Sequence, residues 1–292
     1  SWPPGSASLS AVSVSLLAAA SKATIEQQAT NSLFRLGDSV RRDCEKSLAS
    51  GPHPAQILVG RGGMGKSVLL HRILRNSVDD GEFVLVITED AILSSQTSEE
   101  LLRETVRRTC ELEELTGSVL DVLKESDTAL TVGIDELHDP RAIERILAWS
   151  KAHDSSRISR LKWIATTRST VLAELDAKLR RAVESCSTHV GLLSRDEGRR
   201  IVRSLWGGEG LRVSGLEAET LAKEYGYDPF LIGLAAESVQ GESDSSSQWQ
   251  GPARVVDDFL TQSKLKVTKA SGMALPVYRS ALDGLASAML DK

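Results

Sequence analysis

The chain has 292 residues, of which 41% are hydrophobic and 26% are charged, and its net charge is −5. This composition is ordinary for a globular protein, and the length allows two compact units. The acidic balance argues against a broadly basic surface for nucleic acid, and no apolar run is long enough to span a bilayer.

The cysteines and the first residues of the chain indicate its cellular location and the organisation of its N-terminal segment. The three cysteines show neither metal-ligand nor redox spacing, which favours a reducing, cytoplasmic location. Residues 1–32 are predicted to form a linker with one helix of small residues that packs on the main domain. The first five residues, S-W-P-P-G, do not resemble a natural start, so we expect a piece of a longer protein.

The first predicted strand and helix enclose a glycine-rich loop. Residues 56–59 are an apolar strand-like run, residues 68–74 have helix-compatible apolar spacing, and G-R-G-G-M-G-K-S lies between them. This is the spacing of a phosphate-binding loop, in which glycines let backbone N–H groups approach phosphate oxygens. Lys66 would reach the β- and γ-phosphates, and the Ser67 hydroxyl would ligate Mg²⁺. The predicted nucleotide contacts are Gly60, Gly62, Gly63, Met64, Gly65, Lys66, Ser67 and Val68. A glycine-rich surface turn is the alternative.

Strand-like and helix-like runs alternate from about residue 55 to residue 192. Strands are predicted at residues 56–59, 82–88, 130–134, 161–166 and 189–193. After the loop helix, further helices are predicted at 101–112, 141–149 and 171–183. This alternation indicates βαβ units, and therefore an α/β fold with a parallel sheet covered by helices on both faces.

Two acidic residues follow the third predicted strand. Ligands of open α/β sheets bind at the carboxyl ends of the strands, where Asp135 would hold Mg²⁺ opposite Ser67. Glu136 would accept a proton from the attacking water or orient it. Such acids often only mark the end of a strand in solvent, but downstream of a phosphate loop they indicate a catalytic pair.

Polar residues also follow the fourth predicted strand. Thr167 is predicted to sense the γ-phosphate or its water through a hydrogen bond. Arg168 is predicted to neutralise charge that develops on the transferred phosphoryl group. A strand end with a solvated arginine is the alternative.

After residue 194 the strand signal stops and helices follow. Ser194 and Glu197 have the spacing of a capping box, and further helices are predicted at 215–225, 229–239 and 252–263. Gly226 would end one helix and Pro229 would begin the next. The functional alternative is that Pro229 packs on the adenine base.

Together these motifs resemble the STAND NTPases, the signal-transduction branch of the AAA+-related P-loop ATPases that includes NB-ARC and NACHT proteins. The loop at 60–67 is similar to G-x-G-G-x-G-K-[ST], T-T-R at 166–168 looks like the family's sensor, and G-Y-D-P-F at 226–230 resembles its lid motif G-G-N-P-F. The resemblance covers residues from about 33 to 240. The family's G-R-E motif before the loop is weak here, with 36–38 as the only candidate.

The resemblance implies a domain organisation. It implies an ASCE-type P-loop NTPase domain at 33–193, with a three-layer α/β/α parallel sheet, and a C-terminal all-helical lid domain at 194–268. Residues 269–292 would begin a further helical or winged-helix segment. Adenine nucleotide, as ATP or ADP with Mg²⁺, would bind between sheet and lid.

The resemblance also implies a function. The expected protein is an ATP-hydrolysing switch module of a multidomain signal-transduction protein, in defence or transcription regulation. It would self-associate in its ATP state and act with protein partners or fused effector and sensor domains. The run D-E-L-H-D at 135–139 is closer to AAA+ ATPases, which indicates hydrolysis. A DNA-acting AAA+ ATPase is the alternative, although nucleic acid is not the favoured partner, and a non-catalytic interaction module is the third hypothesis.

Overall fold

A computed structural model describes residues 10–29, 41–45, 48, 54–155, 160–207 and 213–240. The chain divides into two compact units, Ser1–Glu197 and Gly198–Lys292. The helix predicted at 252–263, the segment 269–292 and the weak motif at 36–38 lie outside the described residues.

The first unit contains a central parallel sheet. The described strands are β1 Ser10–Ala11, β2 Ala55–Gly60, β3 Phe83–Ile87, β4 Leu115–Thr116, β5 Leu130–Leu137, β6 Leu161–Arg168 and β7 Ser187–His189. Within the described residues, five of them form one sheet in the order β3–β5–β6–β2–β7, and every neighbouring pair is parallel. Apolar runs of this kind suit strands that are buried on both faces. Strand β6 therefore separates the strand before the glycine-rich loop from the strand that carries the two acids.

Helices follow the strands and cover both faces of the sheet. They are α1 Val14–Ala29, α2 Lys66–Asp79, α3 Glu89–Ser94, α4 Ser98–Thr109, α5 Val119–Glu125, α6 Pro140–Ser155, α7 Ser169–Glu174, α8 Ala177–Ser185, α9 Arg195–Gly207, α10 Gly215–Glu224 and α11 Pro229–Gln240. None of the helices in the described ranges is both long and apolar enough to cross a membrane.

The pleat of the strands divides the core into two layers. Ile57 and Val59 point into the larger cluster, which includes residues of α4, α5, α6, α7 and α8. Leu58 points to the other face, where Leu70 and Leu74 of α2 pack. Alternate side chains of a strand lie on opposite faces, and burying one leucine contributes about 1.5–3 kcal/mol. The predicted α/β P-loop fold, with three α/β/α layers, is thus confirmed.

Helix α2 packs closely on β5 because β5 carries a glycine at the contact. A Cβ atom at Gly133 would lie 2.5 Å from Cδ1 of Leu74, which is fully buried. Any larger residue would force the buried Leu74 side chain out of its packed position. Gly133 therefore makes room for Leu74 of α2 against the strand that carries the two acids.

Helix α1 covers the edge of the sheet at β3. The Ser21 hydroxyl accepts a hydrogen bond of 2.8 Å from the Val84 amide and donates one of 2.8 Å to the Leu17 carbonyl. An uncovered edge strand exposes unpaired amides to other chains. The short β1 also pairs with β4, which ties the N-terminal segment to the domain. The predicted packing of a small-residue helix on the main domain is therefore observed.

Most predicted elements are found with bounds shifted by a few residues, the helix predicted at 141–149 extends to Ser155, and two predictions were wrong in more than their bounds. The fifth strand spans Ser187–His189 rather than residues 189–193. The Val190 amide still donates a 2.8 Å hydrogen bond to the Val59 carbonyl, and Leu193 is buried although it lies beyond the strand. The helix predicted at 171–183 is two helices, α7 and α8. Asp176 separates them, since its carboxylate accepts hydrogen bonds of 2.8 and 2.9 Å from the amides of Lys178 and Leu179 and begins α8.

The described part of the second unit is helical. Ser214 and Glu217 form a capping box that begins α10. Gly226 follows α10 with φ of 62°, the left-handed conformation that glycine adopts without strain. Pro229 is the first residue of α11, and the Asp228 carboxylate accepts a 2.8 Å hydrogen bond from the Phe230 amide. The structural interpretation of Gly226 and Pro229 is thus confirmed.

Candidate functional site

The glycine-rich loop connects β2 to α2 and requires its glycines for two different reasons. A Cβ atom at Gly60 would lie 2.2 Å from the Val190 carbonyl oxygen, so no side chain fits there. Gly65 has φ of 78° and precedes α2 without any side-chain cap. Gly63 also has φ of 78°. The loop therefore presents backbone amides at the positive end of a helix, which is an arrangement that binds phosphate.

Lys66 is the first residue of α2 and is 8% exposed. Its ammonium donates a 2.9 Å hydrogen bond to the Arg61 carbonyl, inside the loop. Burial lowers the pKa of Lys66, the charge of Arg168 lowers it further, and Asp135 and Glu136 oppose the change. A phosphate beside the ammonium would favour its charged form, so Lys66 fits the phosphate-binding role.

Ser67 and Asp135 meet across the loop and the end of β5. The Ser67 hydroxyl donates a 3.0 Å hydrogen bond to Oδ1 of Asp135. Mg²⁺ prefers hard oxygen ligands such as hydroxyl, carboxylate and phosphate oxygens. The donor set therefore fits Mg²⁺, and the structure brings together the two residues that the sequence predicts as its ligands.

Thr166 organises the two acids and was missed in the sequence analysis. Its fully buried hydroxyl donates a 2.6 Å hydrogen bond to Oδ1 of Asp135 and accepts one of 2.8 Å from the Glu136 amide. Strand pairing between β5 and β6 shifts between Ile134 and Leu137, and Glu136 has φ of 58°. A non-glycine residue in that conformation is strained, and such strain often marks functional sites. T-T-R itself was the available signal, but it did not tell which threonine meets Asp135.

Glu136 forms an ion pair with Arg168. Oε1 of Glu136 accepts a 3.0 Å hydrogen bond from Nη2 of Arg168, and Oε2 lies 4.0 Å from Nε2 of His138. About half of the surface of each of the Glu136 and Arg168 side chains is exposed. The hydrogen bond from Arg168 is the main reason that the pKa of Glu136 lies below its usual value. Glu136 is therefore ionised over a wide pH range, as a proton acceptor must be.

Thr167 and Pro229 were predicted to contact the nucleotide. The Thr167 hydroxyl is buried and donates a 2.7 Å hydrogen bond to the Leu137 carbonyl, which helps to close the irregular stretch of β5. Pro229 belongs to the second unit. The γ-phosphate role of Thr167 and the adenine contact of Pro229 stay predictions.

Arg42 lies behind the phosphate loop and is a second residue that the sequence analysis missed. Its guanidinium donates hydrogen bonds to the Met64 carbonyl at 3.3 Å, to the Gly191 carbonyl at 2.8 Å and to Oε1 of Glu197 at 3.1 Å. The Arg42 backbone amide donates a 2.8 Å hydrogen bond to Oε1 of Glu45. The i, i+3 spacing of Arg42 and Glu45 was the only signal in the local sequence, and it did not predict the distant partners of the Arg42 guanidinium.

The comparisons found likeness among solved structures, while no protein-family model and no curated protein matches the sequence. The chain is similar to the Walker-type ATPase PABY2304 of Pyrococcus abyssi, with 17% identity and a TM-score of 0.47 over 77% of this chain and 71% of that one. It is similar to Cdc6p from Pyrobaculum aerophilum, with 16% identity and a TM-score of 0.45 over 68% and 59%. It is also similar to domain III of the Thermotoga maritima replication initiation protein DnaA, with 13% identity and a TM-score of 0.48 over 78% and 98%. Since all three TM-scores lie below 0.5, function is inferred from the residues of the site.

Proposed function

We propose that this chain binds ATP with Mg²⁺, hydrolyses it slowly, and acts as the switch module of a larger signal-transduction protein of the STAND class. The observation that carries the proposal is the 3.0 Å contact between Ser67 of the phosphate loop and Asp135 at the end of β5. Chance similarity of eight loop residues would not bring the two predicted Mg²⁺ ligands together.

The residues divide the chemistry among themselves. The loop amides and Lys66 bind the β- and γ-phosphates. Ser67 and Asp135 would hold Mg²⁺, which when bound neutralises charge on the phosphate oxygens. Glu136 accepts the proton of the attacking water, and Arg168 offers a cation to the charge on the γ-phosphate.

The Glu136–Arg168 pair gives this chemistry a control point. While Arg168 holds Oε1 of Glu136, one of the two oxygens of the base is engaged. A γ-phosphate would compete for the same guanidinium and release the carboxylate. ADP lacks that phosphate, so the pair distinguishes the two nucleotides as a switch requires.

Nucleotide affinity of the Lys66→Ala variant tests the proposal. Removing a charge-assisted contact costs about 1.5–3 kcal/mol, which corresponds to a loss of roughly ten- to hundredfold in ATP and ADP affinity. Lys162→Ala is the matched control, because Lys162 pairs with Glu82 at 2.7 Å at the opposite end of β6. Absence of nucleotide binding by the unaltered chain, or equal affinity in both variants, would refute the proposal.

A DNA-acting ATPase is the second candidate, and the run D-E-L-H at 135–138 favours it, because AAA+ enzymes of that class resemble it. Turnover that rises severalfold on adding DNA would support this candidate over the switch. A Glu136→Gln variant separates both from a non-catalytic module, because it should abolish turnover while keeping nucleotide bound. Sedimentation with ADP and with a non-hydrolysable ATP analogue tests the self-association that the switch requires.

A further inference from the structure

Arg42 and Glu197 form a buried ion pair. Their side chains are 11% and 5% exposed, and Nε of Arg42 lies 3.1 Å from Oε1 of Glu197. The same oxygen accepts a 2.7 Å hydrogen bond from the Asp43 amide, and the other oxygen accepts one of 2.6 Å from the Ser194 amide. Charges buried to this extent are stable only when their hydrogen-bonding capacity is satisfied. Removing either partner would therefore leave the other charge buried without its ion pair, next to the amides of Asp43 and Ser194 that also bind Glu197.

The other two nitrogens of the Arg42 guanidinium, Nη1 and Nη2, contact the phosphate loop and the segment that follows β7. Nη1 donates to the Met64 carbonyl, and it lies 3.9 Å from the position of a Cβ at Gly65. Nη2 donates to the Gly191 carbonyl. A guanidinium is rigid and planar, so its donors cannot move independently. One planar group therefore links Met64, Gly191 and Glu197.

Glu197 is in the first turn of α9, which continues beyond the end of the first unit. The Ser194 hydroxyl donates a 3.0 Å hydrogen bond to Asp43 and accepts one of 3.3 Å from the Glu197 amide. Residues 42 and 43 thus hold the start of α9 through three hydrogen bonds, two to the Glu197 carboxylate and one from the Ser194 hydroxyl. The loop and this helix are joined by one charged network.

We propose that Arg42 is a positioning residue that couples the phosphate loop to the start of α9, so that nucleotide bound at the loop changes the stability of that helix. The inference rests on the proposed nucleotide binding. Coupling of this kind is reciprocal and typically changes an equilibrium by roughly 5- to 150-fold.

Hydrogen exchange of the α9 amides, measured by mass spectrometry on the full chain with and without ADP, tests the coupling. In the unaltered chain, ADP should slow hydrogen exchange of the α9 amides by roughly 5- to 150-fold. In R42Q, ADP should still bind at the loop, but the exchange rates of the α9 amides should be nearly the same with and without ADP. R42K should behave like R42Q, since one ammonium cannot make the three separate hydrogen bonds of the planar guanidinium. E197Q removes the same ion pair from the other side and should also lose the response.

Arg145 supplies the matched control. Its Nη1 donates to the carbonyls of residues 92, 93 and 95 at 2.8, 2.9 and 2.7 Å, so its guanidinium, like that of Arg42, holds three oxygen acceptors, here at the end of α3. R145Q should lower the melting temperature but keep the α9 response to ADP. If the unaltered chain binds ADP and α9 does not respond, or if R42K and E197Q respond fully, the coupling is refuted. An unaltered chain that does not bind ADP would instead refute the proposed function.

Discussion

The structure assigns the two adjacent threonines of β6 different tasks, and Thr166→Val and Thr167→Val separate them. Valine has nearly the same branched shape as threonine but carries a methyl group in place of the hydroxyl. At position 166 the substitution deletes one hydrogen bond to the Asp135 carboxylate and one from the Glu136 amide. At position 167 it deletes one hydrogen bond to the Leu137 carbonyl.

The expected magnitudes follow from these partners. A hydrogen bond to a charged group contributes about 1.5–3 kcal/mol and a neutral one about 0.5–1.5 kcal/mol. Thr166→Val should therefore lower the free energy of unfolding by about 2–4 kcal/mol, and Thr167→Val by about 1 kcal/mol. Since Thr166 orients a predicted metal ligand, its loss should also weaken Mg²⁺ binding by roughly 10- to 100-fold.

Two measurements check this prediction. Urea unfolding without nucleotide gives the stability difference, and titration of Mg²⁺ against binding of a fluorescent ATP analogue gives the metal dependence. Only Thr166→Val should shift the Mg²⁺ titration. If the two variants shift it equally, the assignment of Thr166 is wrong. If Thr167→Val alone reduces turnover, the predicted γ-phosphate role of Thr167 gains support.

Three further predictions concern charge, space and the sheet edge. Arg168→Gln removes the hydrogen bond that holds the pKa of Glu136 low in the free protein, so the acid limb of the pH profile of kcat/KM, which reports the free enzyme, should move to higher pH. An unmoved limb would argue against Glu136 as the titrating base. Gly60→Ala would place a Cβ 2.2 Å from a carbonyl and should weaken ATP binding and stability by about 1–3 kcal/mol, whereas Gly62→Ala meets no atom within 4 Å and should leave the stability of the apo protein unchanged. Ser21→Ala leaves a buried edge amide of β3 unpaired and should cost about 1–3 kcal/mol in urea unfolding.

Sequence reasoning predicted most of the fold because its signals are local. A strand that is buried on both faces is a continuous apolar run, and four of the five predicted strands of the sheet were found at nearly their predicted positions. The errors arose where a continuous apolar or helical pattern concealed the end of an element. Asp176 began a new helix inside a continuous helical pattern, and buried residues after His189 imitated a strand.

By itself, the sequence determined the phosphate loop, the two acids near the end of β5 and the T-T-R segment, because consecutive residues and their backbone requirements define these motifs. Only the tertiary structure decided which groups meet. Thr166 rather than Thr167 reaches Asp135 because the register that pairs Ile134 with Ala165 puts the next residues of β5 and β6 beside each other. Arg42 reaches Met64 and Glu197 because folding brings together residues 22 and 155 positions apart. Such contacts depend on register and packing between distant segments, and neither is encoded in any short stretch of the chain.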